Sequence, residues 1–181
     1  KAAVDNYTQA IRLNPNLAQA HNNRGKVRSI QRNKTAMVEE FTQALAFSPH
    51  DANVYLNRGD AFLDLGDYNA AIDDYTQATK LDPTIEQTYI RIGTVHSILA
   101  DYEIAIENYS QAIVLNAKNA STFINRGNAH LDLRDFRSAV YDYTQAIKLN
   151  PNDALVYNNR GNAYLKLKNY SAATADYTKS L

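Results

Sequence analysis

Glycine is scarce in this chain and almost wholly periodic. Gly25, Gly59, Gly93, Gly127 and Gly161, five of only six glycines, stand 34 residues apart. Chance placement of so rare a residue on one spacing has odds on the order of one in a million, so the interval marks a repeated structural unit. Ala10, Ala44, Ala78, Ala112 and Ala146 keep the same interval, as do the aromatics Tyr7, Phe41, Tyr75, Tyr109, Tyr143 and Tyr177. Proline returns at Pro15, Pro49, Pro83 and Pro151, with Ala117 in the one remaining place.

Within a unit the apolar rhythm is helical. Between Ala52 and Ile85, Tyr55, Gly59 and Phe62 follow an i, i+4, i+7 spacing, and Ala71, Tyr75 and Ala78 repeat it further on, which predicts two helices per unit. Asn33, Asp67, Asp101, Asp135 and Asn169 recur at the break between them, where a side-chain oxygen can accept from the free N–H groups of the second helix. Proline ends that helix by forcing its predecessor out of the helical region, so Ala117 predicts a looser boundary. The small residues predict close approach of the two axes where Gly59 faces Ala71 or Ala78. One helix pair cannot bury both its faces, so successive pairs must stack in one direction.

Tyr55, Gly59, Phe62, Ala71, Tyr75, Ala78 and Pro83 together resemble the signature of the tetratricopeptide repeat family, and the resemblance runs the length of the chain. It implies an all-α solenoid, a right-handed superhelix of antiparallel helix pairs with a 34-residue period. A single array over residues 1–181 is expected: 1–17 carry the second helix of a truncated repeat, 18–51, 52–85, 86–119 and 120–153 are full repeats, and 154–181 is a partial one. Cut in mid-repeat at both ends, the chain reads as a segment of a longer array. The helix of Val4, Tyr7 and Ile11 is then expected to offer a face for homo-oligomer formation.

Charge narrows the partners. Lys plus Arg equals Asp plus Glu at 19 each, and a chain of zero net charge lacks the basic face that nucleic acid or an anionic membrane requires. No apolar run approaches the roughly 18 residues that read as a membrane span, so a soluble chain is expected; its compartment stays open, with the cytoplasm favoured. There is no cysteine, and no phosphate-binding loop, paired metal-binding histidines or nucleophile elbow. His96 and His130 share a column with Phe62 and Tyr164, which reads as core imidazole. The expectation is a protein without enzymatic activity, cofactor or metal.

Two polar columns remain. Arg24, Arg58, Arg126 and Arg160 each have an acid sixteen residues on, at Glu40, Asp74, Asp142 and Asp176, whereas the unit carrying Ile92 has Asn108 there. Charge and countercharge are present or absent together, which predicts a structural ion pair between the two helices of each such unit. On the opposite helix face lie Asn23, Asn57, Arg91, Asn125 and Asn159, followed one turn on by Lys26, Asp60, Asn128 and Asn162. The resemblance places these first helices on the concave side, so the two columns form a polar ladder able to bind the backbone of an extended peptide. The family's carboxylate clamp is matched only at Asn57 and Arg91; its other positions fall on Asn22, Lys26 and Gln87, leaving Lys26, Asn57 and Arg91 as candidate carboxylate holders.

The expected function is a protein-protein interaction module that binds an extended protein or peptide segment in its groove. The alternatives are a self-assembly scaffold joined through open solenoid ends and a substrate-recruiting domain of a larger protein. A double-mutant cycle on Arg126 and Asp142 tests the structural pair. A buried pair predicts single-mutant losses of ~3–5 kcal/mol that are strongly non-additive in urea unfolding. Additive effects below ~1 kcal/mol would mark two unrelated surface charges.

Overall fold

The computed structural model describes residues 2–30 and 33–181. Among these the chain is entirely α-helical, with α1 at Ala2–Leu13, α2 at Ala18–Ile30, α3 at Lys34–Phe47, α4 at Ala52–Leu65, α5 at Tyr68–Leu81 and α6 at Glu86–Ile98. There follow α7 at Tyr102–Leu115, α8 at Ala120–Asp132, α9 at Phe136–Leu149, α10 at Ala154–Lys166 and α11 at Tyr170–Lys179. Two compact units divide the chain, residues 1–91 and 92–181.

In the first unit α2 pairs with α3 and α4 with α5, while α3 packs on α4 and α1 on α2. Val4, Tyr7 and Ile11 of α1 are half-buried. In the second unit α8 pairs with α9 and α10 with α11, with α7 packed on α8 and α9 on α10. The core repeats with the period: Phe41, Ala44 and Val54 in the first unit, and Tyr143, Ala146 and Val156 in the second, are all but inaccessible to water.

Side-chain caps start most of the second helices. The oxygens of Asn33, Asp67, Asp135 and Asn169 accept from the N–H groups of Ala36, Ala70, Ser138 and Ala172. Asp101 departs from this pattern and makes no capping bond. Its carboxylate lies 3.2 Å from His96 Nδ1. Between the paired helices the chain turns through a left-handed residue: Gly66 at φ 80°, Ala100 at 63°, Arg134 at 61° and Lys168 at 60°. Bonds such as Asp67 N–H to Phe62 O and Asp135 N–H to His130 O close these turns.

The Ala117 boundary is no looser than the others. Helix α7 ends at Asn116 with φ −146° and ψ 89°, close to Asp82 after α5 and Asn150 after α9. Asn116 N–H bonds to Ala112 O while its side-chain oxygen accepts from Lys118 N–H, so an asparagine turn ends the helix without help from proline.

The glycine contact also differs from expectation, because the facing group is an aromatic ring rather than alanine. A methyl at Gly59 would lie 2.5 Å from the Tyr75 ring, and methyls at Gly93, Gly127 and Gly161 would each lie 2.8 Å from Tyr109, Tyr143 and Tyr177. Glycine is the slot into which the ring of the second helix fits. In an open helix, Gly→Ala gains about 1 kcal/mol. At Gly127 the fully buried Tyr143 cannot step aside, so overpacking should reverse the sign and cost about 1–2 kcal/mol in urea unfolding. A stabilised Gly127→Ala would show that the slot has slack.

Candidate functional site

Each column arginine is held by groups on two neighbouring helices. Arg126 Nε and Nη2 donate to the two carboxylate oxygens of Asp142 at 2.9 and 2.7 Å, and Nη1 donates to Ser110 Oγ of the preceding helix α7 at 2.9 Å. Arg58 does the same with Asp74 and Thr42, and Arg160 with Asp176 and Thr144, whereas Arg24 donates to Glu40 from Nη2 alone and to Thr8 from Nη1, its Nε lying 2.8 Å from Glu40 without a directed bond. The guanidinium of Arg58 also lies 5.6 Å from the Tyr55 ring and 5.8 Å from Phe62, one turn to either side. The hydrogen bonds they donate to Asp74 and Asp176 hold Arg58 and Arg160 above the ordinary arginine pKa, outweighing the opposing effect of burial. Where Ile92 replaces arginine, Asn108 turns back to bond Ile104 O on its own helix.

The tyrosines are tethered as well. Tyr75 Oη donates to Asp60 Oδ1 at 2.8 Å, Tyr143 Oη to Asn128 Oδ1 at 2.7 Å, and Tyr177 Oη to Asn162 Oδ1 at 2.8 Å. Burial, seconded by Asp60, drives the Tyr75 phenol well above its ordinary pKa, and burial does the same to Tyr143. Three members of the expected ladder therefore already serve the fold.

The remaining members divide. In the first unit, Asn23 accepts from Gln19 Nε2 at 2.9 Å, and Asn57 Nδ2 donates to the buried Asn22 at 3.1 Å, tying α4 to α2. Arg91 Nε stands 2.8 Å from Asp60 Oδ1, each side chain about one-third exposed. Lys26, Asn57, Asp60, Asp64, Met37 and Phe41 line a cavity of about 190 Å³, and Asp60, Leu63, Asp64 and Arg91 line a second of about 180 Å³. All three candidate carboxylate holders thus engage groups of the chain itself. In the second unit, Asn125 on α8 and Asn159 on α10 are half-buried and their side chains make no hydrogen bond, while Asn162 also donates to Asn158.

His130 sits beside the arginine system, Nε2 3.9 Å from Asp142 and Nδ1 3.5 Å from Asp135. Among the described residues no cluster of His, Asp or Glu could hold a metal, and no helix is long and apolar enough to cross a membrane.

A family model described as "Tetratricopeptide repeat" matches residues 52–85, and one described as "TPR repeat" matches residues 1–29, 100–133 and 135–168. The chain belongs to the tetratricopeptide repeat family. Arrays of this family are non-catalytic interaction scaffolds, and this one is a protein-interaction module of that kind. Among solved structures it is similar to MamA protein, with 21% identity, TM-score 0.85, and 91% of this chain and 90% of that one covered. It is also similar to residues 41 to the end of MamA from Desulfovibrio magneticus RS-1, with 18% identity, TM-score 0.83, and 90% and 92% covered. A third is YrrB, described as a TPR protein with an unusual peptide-binding site, with 20% identity, TM-score 0.82, and 96% and 90% covered. No curated protein sequence matches the chain.

Burial holds His130 below its ordinary pKa of 6.5; Asp142 and Asp135 oppose that shift and Arg126 adds to it. The unfolded chain therefore takes up this proton first. The stability contributed by the neutral ring is complete above the unfolded value and is lost as pH falls through the folded one. His130→Phe, which copies Phe62 of the same column, should lose less stability than the parent between pH 8 and pH 5 in urea midpoints. Parallel pH profiles would rule out this origin.

Proposed function

We propose that the array binds an extended segment of another protein along the shared face of its first helices, with amide side chains holding the segment's backbone. The observation that carries this reading is the contrast within the asparagine columns. Asn128 and Asn162 are consumed by tyrosine hydroxyls, whereas Asn125 and Asn159 keep one acceptor and two donors each with no protein partner. A polar side chain that is half-buried and unpaired is well placed to bond a peptide group, which presents both a donor and an acceptor at every residue. The neutral amides suit a neutral backbone. In the same unit Leu155, one turn before Asn159 on α10, is 66% exposed and offers apolar contact beside it. YrrB supports the reading only as a relative in fold that is itself described as binding peptide.

Association between copies is the second reading. It is favoured by Tyr170 on α11, 62% exposed where Phe136 of the same column is half-buried.

Asn125→Ala with Asn159→Ala separates the two. Against an array of unstructured peptides, the double variant should bind at least about tenfold more weakly than the parent, since each lost hydrogen bond is worth ~1 kcal/mol. Its light-scattering mass should stay unchanged. Undiminished peptide binding would reject the amide ladder, and a loss of assembly instead would favour the second reading.

A further inference from the structure

Both ring nitrogens of His21 meet an acceptor at hydrogen-bond distance. Nδ1 lies 3.1 Å from Glu40 Oε2 on α3, and Nε2 lies 3.1 Å from the carbonyl oxygen of Pro15, in the connection between α1 and α2. A carboxylate and a carbonyl can only accept, and a neutral imidazole has a single N–H to give. Only the imidazolium makes both bonds. The residue is 6% exposed, so water has little room to replace a lost partner.

The sequence carries the same pairing. His21 is the exception in the aromatic column of Tyr55, Tyr89, Phe123 and Tyr157, and Glu40 is the exception in the column of Asp74, Asn108, Asp142 and Asp176. Both exceptions fall in one repeat. Glu40 Oε2 is shared there, facing His21 while it accepts from Arg24 Nη2 at 3.0 Å. From α3 the ring also meets Phe47, with centroids 5.9 Å apart. Along α2 the nearby charge is Arg24, one turn on, which repels a second cation and keeps the proton removable. From the side of α1 come the Pro15 carbonyl and Thr8, which accepts from Arg24 Nη1, while the charged Asp5 and Arg12 of that helix are exposed. Helix α4 brings the neutral Asn57, bonded to Asn22.

We propose that His21 is a proton-operated latch on the first helix: with both protons it ties the α1–α2 connection to α3, and loss of one frees Pro15 and loosens α1 from α2. The proton on Nδ1 stays, because the carboxylate is the stronger acceptor. The proton on Nε2 leaves to solvent, and a lone pair then faces the Pro15 carbonyl. Helix α1 is left with the Thr8–Arg24 bond and the half-buried Val4, Tyr7 and Ile11. The sign is opposite to that of His130, whose neutral ring is the stabilising form. At His21 the contribution is present in acid and lost as pH rises through the range in which histidine changes charge.

The test is made by NMR on the full chain. Ring nitrogen shifts of His21 count its protons, and protection factors of the α1 amides, with the intrinsic pH dependence of exchange divided out, report the latch. At about pH 5 both nitrogens should carry protons, and α1 should be at least about tenfold better protected than at about pH 8, where one nitrogen is bare. His21→Tyr, which copies Tyr55 and Tyr157, should abolish that dependence in α1 and leave the protection of α5 unchanged. Should that variant fold poorly, His21→Phe, after Phe123, replaces it. A neutral ring at about pH 5, equal α1 protection at the two pH values, or a dependence that survives the substitution would each overturn the proposal.

Discussion

A guanidinium taken out of water must be surrounded, and most of this architecture follows from surrounding it. Each column arginine finds its carboxylate on the second helix of its own repeat and its hydroxyl on the second helix of the repeat before, and Arg58 and Arg160 also lie between aromatic faces one turn above and below. One side chain thereby fixes three helices. The carboxylates are nearly inaccessible, Asp142 at 1% and Asp74 and Asp176 at 4%, so neither member of a pair can be removed without stranding a buried charge.

The fold was largely legible in the sequence, because the residues that define the period are the residues that pack. The pairing of arginine with an acid sixteen residues on could be read from their joint absence at Ile92 and Asn108. The hydroxyl partner was equally periodic, at Thr8, Thr42, Ser110 and Thr144, but threonine and serine next to an aromatic read as ordinary surface residues when no charge points to them. The tyrosine tether had its own signature. Phe41 is the member of its column in a full repeat without a hydroxyl, and its repeat carries Lys26, a donor, where the others carry Asp60, Thr94, Asn128 and Asn162 as acceptors.

The candidate surface was less legible for the same physical reason. A column of polar residues on one helix face shows that the face is not core. It does not show which members are spent on internal bonds. Asn128 and Asn125 look interchangeable in a sequence, but one lies within reach of a tyrosine from the paired helix and the other does not. Arg91 was grouped with the asparagines by position alone, and its engagement with Asp60 depends on the approach of α6 to α4, which no spacing rule reports.

The left-handed residue between paired helices is imposed by the hydrogen bonds that close the turn on both sides, not by the presence of glycine. Ala100, Arg134 and Lys168 accept it at a cost of roughly 1–2 kcal/mol each. Because the turn keeps this geometry with glycine, alanine, arginine or lysine, the rim of the array can carry a charge without touching the packed core. In the second unit two successive rims bear exposed cations, Arg134 and Lys168, which colour the surface potential from outside the packing.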